Sequence, residues 1–241
     1  MTGGISEVGR VAGLWRYPVK SMAAEGLEEI EVSWHGLAGD RRWAFVRDGM
    51  VRSHFPWMTI RERSPMWHYR PRFTDPQRPE DSPALVATPA GDELDVADPA
   101  LAAQLGEGVT LIKQGRGAFD EMPLSLLSAQ SVASLAQLTG QSLGPDRFRP
   151  NVLVDTGGEG FPEDEWVGAV LAVGELLMRV DQRDPRCVIV NIDPVTTLRD
   201  PSILRTLARV RDACIGVYGS TVRPGRVAIG DPVWVVQAAD V

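Results

Sequence analysis

The chain has 241 residues, 44% hydrophobic and 24% charged, an ordinary globular composition with room for one large core or two modest ones. Its net charge of −7 argues against bulk nucleic-acid binding, which needs a basic face, but permits a local basic pocket. Only two cysteines, Cys187 and Cys214, are present, which excludes an internal disulfide framework or a four-thiolate metal cage. No apolar run is long enough for a bilayer, and Met1–Val8 lacks the basic and apolar regions of a secretory signal. A cytoplasmic protein without membrane or nucleic-acid partners is therefore expected.

The first hundred residues read as short strands with frequent turns. Val11–Tyr17 is a strand stopped by Pro18, and Leu27–Val32 alternates apolar and acidic residues as a half-exposed strand does. Gly36, Gly39 and Asp40 form a turn before the strand Trp43–Val46, which closes at Asp48-Gly49, a hairpin signal. Arg61–Pro89 is dense in proline and reads as loop and edge material. Asp98-Pro99 opens a short helix ending near Gly106. Of seven tryptophans, five fall in the first third and serve as packing.

The second half is more regular. Ser128 caps a helix running through Val132, Leu135 and Leu138 to Gly140. Val152–Val154, Ala169–Val173, Leu176–Val180 and Val188–Ile192 read as strands. Asp200-Pro201 opens another helix, with Ile203, Leu204, Leu207 and Val210 on an apolar face and Arg205, Arg209 and Arg211 facing water. Gly225–Val236 reads as two strands around Gly230-Asp231. Short strands sparsely interleaved with helices favour a β-barrel or sandwich with a few covering helices, hence a mainly β, α+β fold. A boundary, if present, falls near residues 106–120.

Three clusters could carry chemistry. In Tyr17-Pro18-Val19-Lys20-Ser21 a strand breaks and presents a cation beside a hydroxyl, which suits an anion such as phosphate or is simply a solvated strand end. In Arg147-Phe148-Arg149-Pro150-Asn151, with Asp40-Arg41-Arg42 as a possible partner, two arginines flanking an inward ring could fork onto a phosphate, or lie on an ordinary surface loop. Cys187, behind Arg186 and before Asp193-Pro194, is either a small buried hydrophobe or a nucleophile or soft metal ligand, with Arg186 favouring the thiolate. His35, His54 and His68 lack zinc-site spacing; a cysteine–histidine hydrolase would have to draw its histidine from this first third. No Gly-x-Ser-x-Gly elbow or phosphate loop occurs.

Taken together these stretches resemble the MOSC proteins, which share the C-terminal region of molybdenum cofactor sulfurases behind an N-terminal β-barrel part. The resemblance rests on Leu14–Ser21, Gly36–Trp43, Arg147–Val152, Phe161–Trp166, Pro185-Arg186-Cys187, Ile192-Asp193-Pro194, Val217-Tyr218-Gly219 and Gly230–Val233, in the family's order from about residue 10 to 236. It implies a β-barrel MOSC domain over 111–241 packed on an N-terminal β-barrel-like domain over 1–110. It also implies a molybdenum cofactor (molybdopterin), its metal held by a pterin dithiolene and one protein thiolate, with Cys187 at the ligand position. Pyridoxal phosphate binding is a family-level association only. By position, Lys20, Ser21, Arg41, Arg149 and Asn151 would hold the anionic cofactor. Asp120 and Ser128 belong to a segment lining the same site, Asp120 beside Cys187 in the catalytic role, and Tyr218 is a further cofactor-binding candidate.

The departures are specific. Where the mitochondrial amidoxime-reducing members have Cys-x-x-Cys, the first position here is Asp184. Their two hydroxyl residues after the aspartate are Glu121 and Met122, and their arginine before the Pro56 turn is Ser53, with Arg52 adjacent. Without cysteines for an iron–sulfur cluster, electrons must come from separate ferredoxin- or flavoprotein-type partners. The resemblance thus implies an oxidoreductase for small N-hydroxylated compounds. The alternatives are a non-catalytic cofactor carrier or storage protein and a sulfur carrier with a persulfide on Cys187.

Overall fold

The computed structural model describes residues 6–50, 53 and 55–236; Arg52, His54 and the start of the Met1–Val8 segment lie outside them. The first half contributes β1 (Ser6–Arg16), β2 (Glu25–Gly26), β3 (Glu29–Ser33), β4 (Gly36–Leu37), β5 (Trp43–Arg47), β6 (Arg70–Phe73), β7 (Ala84–Ala87), β8 (Glu93–Asp95), α1 (Pro99–Leu105) and β9 (Val109–Lys113). The second contributes β10 (Leu124–Ser128), α2 (Ala129–Thr139), β11 (Val152–Asp155), β12 (Val170–Val173), β13 (Leu176–Pro185), α3 (Ser202–Arg211), β14 (Cys214–Arg223), β15 (Gly225–Ala228) and β16 (Pro232–Val236).

Seven strands close a barrel in the order β1-β11-β10-β14-β13-β12-β16 and back to β1. With three α-helices among the described residues, the architecture is mixed α+β with a β-barrel. All pairs in the ring are antiparallel except β10 with β11, whose parallel pairing uses α2 as its crossover, since parallel neighbours cannot be joined by a tight hairpin. β1 closes the ring by pairing first with β16 and then, past a register shift at Gly9, with β11. Apart from β2, its partners all come from the second half of the chain. The barrel interior is filled by residues such as Val11, Leu14, Leu126, Val154, Leu171, Met178 and Val217. Each such side chain is worth roughly 1.5–3 kcal/mol on burial.

Two further cores flank the barrel. Phe45, Ile60, Met66, Phe73, Leu101 and Leu105 gather with Val19, Met22 and, from the second half, Ile192. On the other side α2 and α3 pack Val132, Leu135, Ile203 and Leu207 against Phe148, Val190 and Ile215. The caps are those expected: Asp98 accepts from Ala100 N, Ser128 Oγ accepts from Ser131 N, and Gly140 closes α2 in the left-handed conformation.

Several local expectations are corrected. Val188–Asn191 is a 3-10 turn rather than a strand; a short apolar run has no period separating a strand from a buried turn. Arg61–Pro89 contains a 3-10 turn, Ser64–His68, and the strands β6 and β7; Pro71 is tolerated because β6 is the edge of its sheet. Asp48-Gly49 does turn the chain, with Met50 N donating to Arg47 O and Val46 bridging antiparallel to Trp57, but the longer partner of β5 is β9, some sixty residues on. β15 and β16 do flank Gly230-Asp231 as expected, and they pair with β3 and with β1 and β12 respectively. In α3, Val210 is exposed while Arg211 turns inward over the Phe161 ring and pairs with Asp164.

Arg16, at the end of β1, is fully buried. Its guanidinium donates to Glu25 Oε2 through Nε and Nη2 and to the Ala38 and Pro76 carbonyls through Nη1, over the Phe73 ring. Removing one partner of such a pair strands the other charge. Arg16→Met is therefore expected to lower stability by about 3–5 kcal/mol, read from guanidinium denaturation.

Candidate functional site

The strand ends of the barrel converge on one cavity of about 190 Å³. β13 runs to Pro185, further than its apolar alternation suggests, and delivers Cys187 as the residue capping the 3-10 turn Val188–Asn191. Pro18 ends β1 and brings Lys20 and Ser21 to the wall; Arg149 and Asn151 arrive just before β11; Arg41 lies in the turn before β5. Of the residues proposed from the sequence, Lys20, Ser21, Arg41, Asp120, Arg149, Asn151, Cys187 and Tyr218 all line this cavity. Six cations (Lys20, Arg41, Arg61, Arg147, Arg149, Arg186) face three carboxyl groups (Asp120, Glu121, Asp184) along it.

Ser128 is the exception. It is fully buried, its Oγ accepting from Ser131 N at the head of α2 and donating to Glu163 Oε2 at 2.5 Å. It caps a helix and does not line the cavity, where Ser125, three residues earlier and on the opposite face of β10, stands instead. Asn151 lines the wall with every group committed: Nδ2 donates to Trp15 O and Asp40 Oδ2, and Oδ1 accepts from Ser125 N. Its side chain holds strand ends together at the cavity wall.

The thiol sits at one end of a chain of charges. Arg61 Nη2 donates to Cys187 Sγ at 3.2 Å and to Asp120 Oδ2 at 2.9 Å, and the other oxygen of Asp120 pairs with Lys20. Arg61 was not among the sequence candidates; nothing local marks it, since it is one of three arginine and glutamate residues on a turn sealed by Thr59 O. The cation on the sulfur is thus Arg61 and not the adjacent Arg186, whose guanidinium donates to Ile215 O and Phe148 O and lies against Asp184. Burial drives the Lys20 ammonium down to about 8, opposed by Asp120 and aided by Arg41 and Arg149. Burial likewise works against ionisation of Asp120, but Lys20 and Arg61 outweigh it and hold its carboxyl below the usual value.

Opposite lies a stacked arginine pair. The Arg149 and Arg41 guanidiniums lie 4.2 and 4.6 Å from the Tyr17 ring centre, and the Tyr17 hydroxyl donates to Pro150 O. Burial pushes the Tyr17 phenol up to about 12 despite both cations. Arg149 donates through Nη1 to Met22 O, but its buried Nη2 has no partner, and burial lowers it to about 10. Six non-glycine residues among those described have positive φ, and three of them, Ser21, Arg41 and Arg149, are on this cavity. Left-handed backbone costs roughly 1–2 kcal/mol per residue, and its clustering here marks a functional wall.

Arg147 lies on the same side, yet it is committed: Nη1 donates to Val190 O and Nη2 to Asp193 Oδ2 at 2.7 Å, which pins the turn after Cys187. Neither His35 nor His68 lines the cavity, so no described histidine serves a cysteine–histidine hydrolase. Among the described residues no three His, Cys, Asp or Glu side chains could hold a metal by themselves.

Two outcomes are expected. Asp120→Asn removes the charge that props up Lys20, so Lys20 should titrate below about 8, read by NMR of the reductively 13C-methylated ammonium against the Lys113 signal. Ser128→Ala should lower stability by about 2–4 kcal/mol, a lost helix cap plus the buried Glu163 carboxyl left without its donor, with phosphate affinity by calorimetry unchanged.

Comparison with known proteins agrees with this geometry. The MOSC domain model matches residues 113–234 and the MOSC N-terminal beta barrel domain model residues 8–106. A molybdenum cofactor sulfurase from Drosophila grimshawi is 27% identical over 92% of this chain, which spans only 34% of that protein. Mitochondrial amidoxime reducing component 2 from Bos taurus is 24% identical over 95% of this chain and 84% of its own length. The crystal structure of the YuaD protein from Bacillus subtilis superposes with a TM-score of 0.55 at 14% identity, covering 96% and 97% of the two chains, a likeness of fold. With these two matched models spanning nearly its whole length, the chain belongs to the MOSC domain family, carrying the MOSC N-terminal β-barrel domain ahead of the MOSC domain.

Proposed function

We propose that this cavity binds a molybdenum cofactor and that the protein reduces small N-hydroxylated compounds with electrons from separate ferredoxin- or flavoprotein-type partners. The observation that carries the reading is the unpartnered, buried Nη2 of Arg149 in a cation-rich wall opposite a partly exposed thiol. The donor set fits such a group: guanidinium forks and an ammonium suit a phosphate, and a lone soft thiolate suits a thiophilic metal whose other ligands are not protein. Relatives named for molybdenum cofactor sulfuration and amidoxime reduction support it.

Cys187 would be the protein's metal ligand and, with Asp120, its catalytic residue. Arg61 would hold the sulfur in place at the cavity wall until it coordinates. Lys20, Ser21, Arg41 and Arg149 would take the phosphate end, with the Tyr17 ring packed against both guanidiniums. When bound, the group supplies the two-electron chemistry, and the protein supplies position and electrostatics. Asp120 keeps Lys20 charged and Arg61 aimed at Sγ. The division into domains at 110/111 is part of this reading, as is a reducing cytoplasm, in keeping with two free cysteines; no helix among the described residues is long and apolar enough to cross a membrane.

Elemental analysis of gently purified protein should give near-stoichiometric molybdenum, with a large loss in Cys187→Ser and a weaker hold in Arg149→Ala. Loaded protein with an added flavoprotein and ferredoxin-type donor should reduce hydroxylamines or amidoximes; no turnover above background removes the reductase reading. The sulfurase relative favours a second reading, a cofactor or sulfur carrier. Equilibrium transfer of cofactor to an apo-enzyme, or a persulfide on Cys187 by mass spectrometry, each without turnover, would select it.

A further inference from the structure

Of the six cations on the cavity, five are accounted for. Lys20, Arg41 and Arg149 stand at the phosphate end, Arg147 is spent on Val190 O and Asp193, and Arg186 on Ile215 O, Phe148 O and Asp184. Arg61 is the sixth, and its backbone is firmly placed. Ile60 before it is fully buried, Glu62 N and Arg63 N after it both donate to Thr59 O, and its own carbonyl accepts from Arg199 Nη2 at 2.6 Å. The side chain is 27% exposed, with its guanidinium 5.0 Å from the centre of the Phe55 ring.

Only one nitrogen of that guanidinium is engaged. Nη2 serves both Asp120 Oδ2 at 2.9 Å and Cys187 Sγ at 3.2 Å. A guanidinium carries five N–H donors in a fixed fork, and among the described residues Nε and Nη1 meet no acceptor. Neither of these atoms is sealed inside the protein, so their donors stay open to a guest. Asp120 and the pinned backbone fix the fork beside the sulfur before any guest arrives, which lowers the cost of binding. A molecule that reacts at a metal on Sγ lies within reach of this side chain, because the sulfur already touches it.

We propose that Arg61 anchors the substrate, and that the substrate is an N-hydroxylated compound carrying a carboxylate or a similar singly charged oxyanion. The inference rests on the reductase reading above and narrows its substrate class. A planar fork with spare donors matches a carboxylate in geometry and in sign, and the same cation repels an amine-bearing analogue.

The other groups on the cavity set the amount of charge it accepts. Asp120 is shared between Lys20 and Arg61, and Asp184 lies against Arg186, so neither faces a guest as a free carboxylate. Glu121, exposed on the same cavity, opposes a second negative charge. Ile60, Phe119, Met122 and Ile189 add apolar lining, which suits a short uncharged remainder. One negative charge near the N–O group is what this edge of the cavity can hold.

The test is calorimetry on the full chain, cofactor-loaded and without an electron donor, with N-hydroxyglycine as the anionic probe and N-methylhydroxylamine as the neutral one. Wild type should bind the anionic probe about 10- to 100-fold more tightly, the scale of hydrogen bonds to a charged group. Arg61→Gln, compared at equal molybdenum content, should erase that difference. Arg61→Lys, a point charge without the fork, should fall between the two. A wild type that binds both probes alike, or neither, overturns the proposal, and so does a preference that survives in Arg61→Gln. Arg61-dependent binding with no reduction once the donor proteins are added leaves the anchor standing and overturns the reductase reading instead. Protein that takes up no molybdenum removes the reading and the anchor together.

Discussion

One buried carboxylate, Asp40, ties together the three segments on which the cavity depends. It accepts from Tyr17 N at 2.7 Å and from Asn151 Nδ2 at 3.2 Å and pairs with Arg41, while its own exposure is 1%. Those contacts lock the end of β1, the approach to β11 and the turn before β5 at one point. A charge so deeply placed is tolerable only because every neighbour is a donor or a cation, and loss of any one leaves the rest uncompensated. The barrel can close with many cores; it closes with its cations in this register because of Asp40.

From that anchor the electrostatics follow. Lys20, Arg41, Arg61 and Arg149 are held near one another with their carboxylate partners already committed, and like charges at low dielectric repel strongly. Burial meets this by weakening Lys20 and Arg149 as cations and by leaving Arg149 Nη2 without a partner. The left-handed backbone at Ser21, Arg41 and Arg149 adds conformational strain at the same points. An anion entering the cavity would relieve the repulsion and satisfy the vacant donor together. A guest of opposite sign would stabilise the wall.

The thiol end is built differently. Cys187 is presented by a long strand whose irregular ladder turns Asp184 inward, and it is followed by a turn that Arg147 pins through Val190 O and Asp193. Rigid elements thus set the sulfur and the buried carboxyl on the same edge of the cavity. Arg61 arrives from the other side, on a segment of the first half. Both halves of the chain are needed to make one side chain's environment.

How much of this was legible beforehand follows from the range of each interaction. Helix caps at Asp98 and Ser128, the Gly140 stop, most short strands and the α+β barrel class are local or periodic signals, set by hydrogen bonds and burial within a few residues. Tyr-Pro-Val-Lys-Ser, Arg-Phe-Arg-Pro-Asn and Pro-Arg-Cys marked five of the eight candidates that line the cavity because each cluster places several functional groups within one turn of backbone; Arg41 stood in a separate turn, and Asp120 and Tyr218 were named only through the family resemblance. What they could not specify is pairing across distance. Arg61 carries no local mark and meets Cys187 because Trp57-Met58 runs back along β5 and Arg199, from the second half, donates to the Arg61 carbonyl. Ser128 looked like a wall residue, yet the crossover through α2 points it at Glu163. Val188–Asn191 could be strand or turn until Arg147 and Asp193 bound it. Asp184 reads as a mere replacement until the slipped ladder buries it beside Tyr218. The sequence alone determined which chemical groups were present and which local elements they sat on. Only the tertiary structure decided which charges touch, because a Coulomb contact depends on ångströms between segments a hundred or more residues apart, and no local pattern encodes that separation.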